Sequence, residues 1–500
     1  MSTLNYQKFL NFHNYFDKRI NGALLSGIRL KLPKNYCFYI LLLILMSTTI
    51  YNLRLYFASG ATQSYVFRIQ QLERLKKAVL DAEKQLYQAL YTDLKKTDED
   101  AWATEVGFFL SELNYTIKHL KDWMEPKSVA TNLVNMPSSS FTIQEPLGVV
   151  CIIAPWNYPF QLLFTPLIGA IAGGNCAVLK PSEFAPATAA VMQKIIHSLF
   201  PDNYMMYLEG DGATVLPPLL SENRFDHIFY TGSTMVGKII YKLAAEQLVP
   251  VTLELGGKSP AVICDDANLR VAARRLANPK FSNCGQMCIA PDYILVPSHL
   301  KDELIKELII AIQKFYGADA ENSAHYGKII NDKQWLRLSS YLSDGEIVYG
   351  GKSNREKLFI EPTIMVGVQP DAKIMQDEIF GPILPILTYA NKEEALAIIQ
   401  KNPNPLAFYV FTENKNDEAY WLTNVPSGGA CVNNATMHIT NHELPFGGRG
   451  FSGTGGYHGK LSFDTFTHTK SVLKTPTWID PSFKYPPYKG KAWLLKRLIG

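Results

Sequence analysis

From Val149 to Leu253 the chain switches repeatedly between short apolar runs and helix-length stretches, and this alternation limits its fold more than any other feature. Val149-Val150-Cys151-Ile152-Ile153 has the length and composition of a strand buried on both faces. The apolar period then turns helical through Leu162–Ala172, and Ala177-Val178-Leu179-Lys180 reads as the next strand. Pro186 opens a further helix in the first turn, where its missing N–H has no intrahelical partner to lose. His227-Ile228-Phe229-Tyr230, a helix from about Thr234 to Gln247, and the strand Val251-Thr252-Leu253 continue the pattern. Such alternation implies a mostly parallel sheet with helices on both faces. A second α/β stretch is expected from about 256 to 430, and no internal repeat or low-complexity linker separates the two.

Upstream, Val66, Ile69, Leu72, Leu75, Val79, Ala82, Leu86 and Leu90 recur at threes and fours, which predicts one amphipathic helix over 66–94. A second is expected from Glu99 to Met124 on the stripe Val106, Leu110, Leu113, Ile117 and Leu120. The helical period stops over 125–147, where Pro126, Pro137 and Pro146 bracket an extended stretch that reads as a hairpin or arm. Five hundred residues exceed one core, so two or three domains are expected. Seven cysteines without a repeated spacing are no disulfide framework and fit a reducing compartment. Cys284 and Cys288 lack the paired spacing or histidine partners of a zinc site, so no metal is expected.

The net charge of +4 comes from the N-terminus. Residues 1–54 carry seven basic side chains against Asp17 alone, a sum of +6, so the rest of the chain sums to −2. That near-neutral body gives no electrostatic reason to expect nucleic acid. Residues 35–53 hold no charge, and three readings of this extension stand open. It is a membrane-spanning anchor, a signal peptide, or a segment upstream of a true start at Met46. At the other end, Lys489, Lys491, Lys496 and Arg497 surround Trp493, Leu494 and Leu495. This basic tail over 481–500 reads as an amphipathic helix on lipid or as a segment packed on a partner subunit.

Two segments carry chemistry. Asn283-Cys284-Gly285-Gln286-Met287-Cys288 ends on a thiol, and Leu253-Glu254-Leu255-Gly256-Gly257-Lys258 presents a carboxylate 34 positions upstream. A thiol can attack a carbonyl carbon, and a carboxylate can activate water against the resulting thioester. Taken singly, a buried structural cysteine and a surface glutamate explain the same two residues. Gly232-Ser233-Thr234-Met235-Val236-Gly237 follows a predicted strand and opens a helix, a setting in which backbone N–H groups can approach a pyrophosphate. Lys180 and Glu183 sit just past a strand end, where nucleotides bind in open α/β sheets.

Taken together the motifs resemble the aldehyde dehydrogenases, and among them the class 3 or fatty-aldehyde branch, over roughly residues 50–480. The blocks are Ala154-Pro155-Trp156-Asn157-Tyr158-Pro159, Leu179-Lys180-Pro181-Ser182-Glu183, Thr231-Gly232-Ser233-Thr234, the Glu254 and Cys288 segments, Glu378-Ile379-Phe380-Gly381-Pro382, and Leu444-Pro445-Phe446-Gly447-Gly448. Tyr457-His458-Gly459-Lys460 points to the class 3 branch in particular. The resemblance implies an aldehyde-dehydrogenase-like α/β fold: a Rossmann-like NAD(P)-binding domain (55–124 and 148–255), an α/β catalytic domain (256–430), and a small β oligomerisation arm (125–147 and 431–480).

It further implies oxidation of medium or long aliphatic, or aromatic, aldehydes to acids, with NAD preferred and NADP accepted. By resemblance Cys288 is the nucleophile, and the Asn157 amide and the Cys288 N–H hold the oxyanion. Glu254 activates water, takes the thiol proton, or does both. Lys180 and Glu183 would contact the adenosine ribose, and Gly232, Ser233, Thr234 and Gly237 the pyrophosphate. Gly256 and Gly257 would let the nicotinamide approach, Glu378 would hold its ribose, and Phe380 would pack beside the ring. A homodimer is expected, in the cytoplasm or attached to a membrane through 35–53. Tyr115 and Trp156 are candidates for the substrate entrance, and Lys258 for an ion pair. Alternatives are a CoA-acylating or phosphorylating semialdehyde dehydrogenase, which needs no general-base glutamate, and an inactive membrane-bound homologue. Met287, Arg449 and Cys284 depart from the family's pattern, and Cys284 is a candidate to bridge Cys288 under oxidation.

Overall fold

The computed structural model describes residues 48–490, 493, 496 and 497. The uncharged stretch therefore lies outside the described residues up to 47, as does most of 491–500. No helix among the described residues is long and apolar enough to cross a membrane.

The apolar stripe over 66–94 folds as two helices, Tyr65–Asp81 and Glu83–Leu94, because the backbone opens at Ala82 (φ −97°, ψ 3°). The stripe is otherwise as the period predicts, with Leu72, Leu75, Val79, Leu86 and Leu90 buried, but Val66 in the first turn is exposed. The next helix is also interrupted. Asp98–Ala101 passes through one π turn, Trp102–Val106, into Gly107–Met124. The wider turn carries a glutamate, Glu105, that is fully buried.

The first large sheet runs Gly453–Thr454, Val251–Glu254, His227–Thr231, Val149–Ile153, Cys176–Lys180, Met205–Tyr207. Its five longer-range members are parallel, and only Gly453–Thr454 is antiparallel. In chain order the parallel strands lie 3-2-1-4-5, the doubly wound arrangement whose switch point falls between Val149–Ile153 and His227–Thr231. The Val149 strand and the helix behind it, Gln161–Gly173, are buried at every residue. Seven strands form the second sheet: Glu346–Tyr349, Thr363–Val366, Ile383–Tyr389, Tyr293–Pro297, Pro260–Ile263, Ala407–Phe411 and Gly429–Val432. All are parallel except the first.

The third sheet is a hairpin, Lys127–Val129 against Ser139–Pro146, extended by Thr467–Lys474 across all eight residues of the second strand. The expected arm over 431–480 is thus narrower in the structure. Gly429–Val432 closes the second sheet, Gly453–Thr454 edges the first, and Gly459–Thr465 is a helix packed on Gln161–Gly173. Composition gives the reason: Phe446, Tyr457, Phe463 and Phe466 are core residues, whereas Thr467–Lys474 is polar and mostly exposed.

Candidate active site

The chain crosses from the first sheet to the second between the strands Val251–Glu254 and Pro260–Ile263, so Glu254, Gly256 and Gly257 lie on the passage between them. Cys288 lies in the connection from the helix Leu269–Phe281 to the strand Tyr293–Pro297 of the second sheet. Three residues in succession before it are left-handed: Asn283 (φ 48°), Cys284 (φ 53°) and Gly285 (φ 70°). Side chains rarely adopt this conformation, so Asn283 and Cys284 each cost on the order of 1 kcal/mol unless their surroundings enforce it, whereas Gly285 adopts it freely. A Cβ at Gly285 would stand 2.4 Å from the Gly381 carbonyl oxygen, so only glycine lets the two loops meet.

Hydrogen bonds hold the strained loop. The Gln286 amide donates to the carbonyls of Asn283 and Lys328, both at 3.0 Å, and accepts from the Ile330 N–H at 3.0 Å. Asn283 Nδ2 donates to the Gln286 carbonyl (3.2 Å) and to the Asn157 carbonyl (2.9 Å). Asn157 Nδ2 donates in turn to the Gln286 carbonyl at 3.1 Å. A carboxamide has two N–H donors, so this bond fixes the plane of the Asn157 amide and leaves one donor over. The Cys288 loop and the Trp156-Asn157-Tyr158 turn are therefore one hydrogen-bonded body.

Cys288 is half-buried, and Tyr158, Tyr409, Tyr457, Glu254 and Glu378 all interact electrostatically with its thiol. Desolvation pushes that thiol well above its ordinary range, and the two carboxyl groups add to the shift. Glu254 is 2% exposed, and among the described residues neither carboxyl oxygen has a hydrogen-bond partner. Burial raises it far above the usual carboxylate range. Its backbone is fixed on both sides, by the Gly232 N–H on its carbonyl at 3.0 Å and by pairing with Gly453. Cys284 faces elsewhere. It is fully buried beside Tyr326 and Gly327, and its neighbours include none of those around Cys288. Met287 is half-buried and Arg449 exposed.

The other predicted residues fall at the switch point and along one edge of the passage. Ser233 caps the helix Thr234–Glu246, its Oγ accepting from the Val236 N–H at 3.4 Å, directly after the strand His227–Thr231. Gly232 precedes that cap and Gly237 packs under Leu255. Lys180 is buried and donates to the Pro181 carbonyl (2.6 Å) and to Glu183 (3.2 Å). The other oxygen of Glu183 accepts from the Gly212 N–H at 3.0 Å.

Glu378 lies directly over Gly256, where a Cβ would be 1.9 Å from its carboxyl oxygen. Burial and the nearby Asp292 raise Glu378 to about 8, against the opposing effects of the Gly257 N–H, Lys258 and Arg337. Phe380, left-handed at φ 48°, meets Trp156 edge to face at 5.3 Å. Lys258 is an ion-pair residue: it binds Asp292 and the carbonyls of Ile374 (2.8 Å) and Asp377 (2.9 Å). Asp292 also accepts from the Ile379 N–H at 2.9 Å, so this buried pair carries the Glu378–Phe380 loop.

A cavity of about 260 Å³ opens on the first turns of Gly107–Met124, lined by Trp102, Phe108, Ser111, Thr440 and His442 among others. Phe108 lies edge-on to His458 at 5.4 Å, and the His458 ring lies tilted against Tyr457 at 4.1 Å. Tyr115 stacks on His442 at 4.8 Å, beside the cavity. Sequence reasoning missed the buried carboxyl that organises this wall: Glu112 takes His442 Nδ1 (2.8 Å) and the Gly459 N–H (2.6 Å). It also missed Lys96 and Glu105. An available signal was an acidic residue at each end of one helical face, Glu105 and Glu112, within an apolar stripe.

Comparison with known proteins gives a consistent result. A model of the aldehyde dehydrogenase family matches residues 57–472. The chain is 46% identical to the 4,4'-diaponeurosporen-aldehyde dehydrogenase of Staphylococcus aureus (strain NCTC 8325 / PS 47) over 448 residues, 89% of this chain and 97% of that one. It is 42% identical to the dimeric NADP-preferring aldehyde dehydrogenase of Rattus norvegicus, over 89% of this chain and 98% of the relative. Among solved structures, the substrate-bound state of Staphylococcus aureus AldH superposes with a TM-score of 0.88 at 45% identity, covering 91% of this chain and 99% of that one.

Proposed function

Since the chain belongs to the aldehyde dehydrogenase family and oxidises aldehydes with NAD or NADP, we propose that it does so at Cys288, with Asn157 holding the oxyanion and Glu254 activating water. The observation that carries this reading is the juxtaposition of a thiol, an amide with one donor left over, and a buried carboxyl with no protein partner. Cys288 gives up its thiol proton to solvent and its sulfur adds to the aldehyde carbon. The spare Asn157 N–H and the Cys288 N–H stabilise the oxygen that becomes negative. A nicotinamide dinucleotide held by the segments described below would supply the hydride acceptor, and loss of hydride from the Cys288 adduct leaves a thioester on the sulfur. Glu254 then takes a proton from the water that cleaves the thioester, releasing the acid and the thiol.

Features already described fit the cofactor. Ser233–Gly237 offers a capped helix N-terminus at the switch point, suited to a pyrophosphate. Lys180 and Glu183 suit the adenosine ribose. Glu378 over the bare backbone of Gly256 suits the second ribose, with Phe380 beside the nicotinamide. NAD is the preferred cofactor in this reading, because the Glu183 carboxylate repels a 2′-phosphate more directly than Lys180, itself engaged with Pro181, attracts it. The largely apolar cavity beside Trp102 and Phe108 would take the tail of a medium, long or aromatic aldehyde. A relative named for diaponeurosporen aldehyde is in keeping with that class.

Unpaired cysteines at 151, 176, 264, 284, 288 and 431 suit the cytoplasm. The exposed Val129 and Leu473 on the arm suit a homodimer, and light scattering should give twice 56.1 kDa. A monomer at micromolar concentration would exclude it.

The chemistry is tested by pre-steady-state measurement of reduced nicotinamide. Glu254→Gln should release close to one equivalent per chain and then stall, with steady turnover lowered by about 10²–10⁴-fold. Cys288→Ala should give neither burst nor turnover. Undiminished steady turnover in Glu254→Gln removes that residue from its assigned role.

A further inference from the structure

Behind the Asn157 turn lies a buried ion pair that the reaction scheme does not use. Lys96 is 3% exposed and Glu105 not at all, and Lys96 Nζ stands 2.6 Å from Glu105 Oε1. Two charges withdrawn from water in this way add little to stability, and an apolar pair of equal volume often does as well. The interest of the pair is in its other bonds. Glu105 Oε2 accepts from the Gln161 N–H at 2.8 Å. Gln161 begins the helix Gln161–Gly173, whose N-cap residue Phe160 supplies no side-chain cap. Glu105, from 56 positions upstream, is therefore the cap of that helix. Lys96 Nζ donates to the Asn157 carbonyl at 3.3 Å and lies 3.9 Å over the Tyr158 ring.

One ion pair thus grips the turn 154–160 at two points, at the carbonyl of Asn157 and at the helix start that follows it. The third grip comes from Asn283 of the nucleophile loop, on the same Asn157 carbonyl. The local backbone is shaped to deliver Glu105 here, since it sits on the single π turn Trp102–Val106 of an otherwise α-helical run. Such turns are an expensive irregularity and recur beside functional sites.

We propose that Lys96 and Glu105 are positioning residues for aldehyde oxidation, holding the Asn157 amide at the angle at which its free N–H meets the oxygen of the substrate. This rests on the reading of Asn157 as the oxyanion donor. Among the described residues the pair makes no hydrogen bond to Cys288 or to the cofactor segments; its contacts on the turn are the Asn157 carbonyl and the Tyr158 ring, and because Tyr158 faces the Cys288 thiol, the alkylation rate separates the two routes. A displacement of about 1 Å in such a donor costs up to about 100-fold in rate, and deleting one outright costs about 10²–10³-fold.

The test is a double-mutant cycle on kcat for a short aldehyde, with alkylation of Cys288 by iodoacetamide and NAD affinity measured on each variant. Lys96→Met should lower kcat about 10–100-fold in the otherwise native protein and less than about 2-fold in Asn157→Ala. Alkylation rate and NAD affinity should stay within about 2-fold of the unsubstituted protein. Glu105→Gln keeps an acceptor for the Gln161 N–H and so spares the fold. It should show the same non-additive pattern at smaller amplitude, and it decides the matter if Lys96→Met does not fold. Equal losses in both backgrounds, or losses that follow alkylation or NAD affinity, overturn the proposal. If Asn157→Ala itself retains kcat, the oxyanion assignment fails first, and that result is distinct from an additive cycle.

Discussion

The two ends of the proposed site, one assigned to the adenosine and one to the reacting groups, are built on opposite plans. At the adenosine end every charged group already has partners: Lys180 has Pro181 and Glu183, and Glu183 has Lys180 and the Gly212 N–H. At the reacting end the groups are left wanting. Among the described residues Glu254 has no partner for either oxygen, Glu378 is raised to about 8, and the Cys288 thiol is pushed up by burial and by both of those carboxyls. A binding surface gains from preorganisation, because groups fixed beforehand lose less entropy when the ligand arrives. A reacting surface gains from buried groups whose charge becomes favourable only as the reaction proceeds. Support at this end comes instead from neutral and remote groups, the Gln286 and Asn283 amides and the Lys258–Asp292 pair under the Glu378 loop.

The larger effect that would sharpen this contrast is at the adenosine end. If Glu183 is a fixed negative partner for ribose, Glu183→Ala should move the ratio of kcat/KM for NADP over NAD upward by about 10–100-fold, the size expected for removing one close like charge. Lys180, freed from Glu183, would then face the 2′-phosphate. The shift should appear in KM with kcat nearly unchanged, since the residue binds and does not react. An unchanged ratio would mean that the adenosine end is not where Glu183 acts, and the contrast between the ends would lose its first half.

Much of this was legible in the sequence, and the reasons are specific. The strand-helix alternation over 149–254 follows from runs such as Val149–Ile153, apolar at every position, which only a strand covered on both faces can bury. The close approach at Gly256 was legible because glycine marks places where backbone must come close, as it does here to Glu378. The supports were not legible. Lys96 and Glu105 are nine positions apart yet joined by a π turn, and a regular helical period cannot anticipate that turn. Asn283 reads as an ordinary loop residue until its φ of 48° turns its amide onto Asn157. The breadth assigned to the arm failed for a related reason. Between 431 and 466 the chain serves two sheets and a helix in turn, and its short segments carry no period long enough to separate them.

The smaller effect concerns stability and tests the second half of the contrast. Glu378 binds its proton more tightly in the folded chain, at about 8, than in the unfolded chain, where an ordinary carboxyl loses it near 4.5. Between those values the folded state holds the extra proton, so this group favours folding fully at low pH and loses that contribution as pH rises through about 8. Glu378→Gln cannot titrate. The variant should therefore gain on the native protein as pH rises from about 6 to about 9, by on the order of 2 kcal/mol or a few degrees in Tm. The comparison has to be made without dinucleotide, because a ribose bound to Glu378 would stabilise the charged form and conceal the effect. Parallel Tm curves for the two proteins over that range would mean that Glu378 is charged and well solvated in the free enzyme. The reacting end would then be as fully satisfied beforehand as the binding end, and the raised carboxyl could no longer be counted among the groups that wait for their ligand.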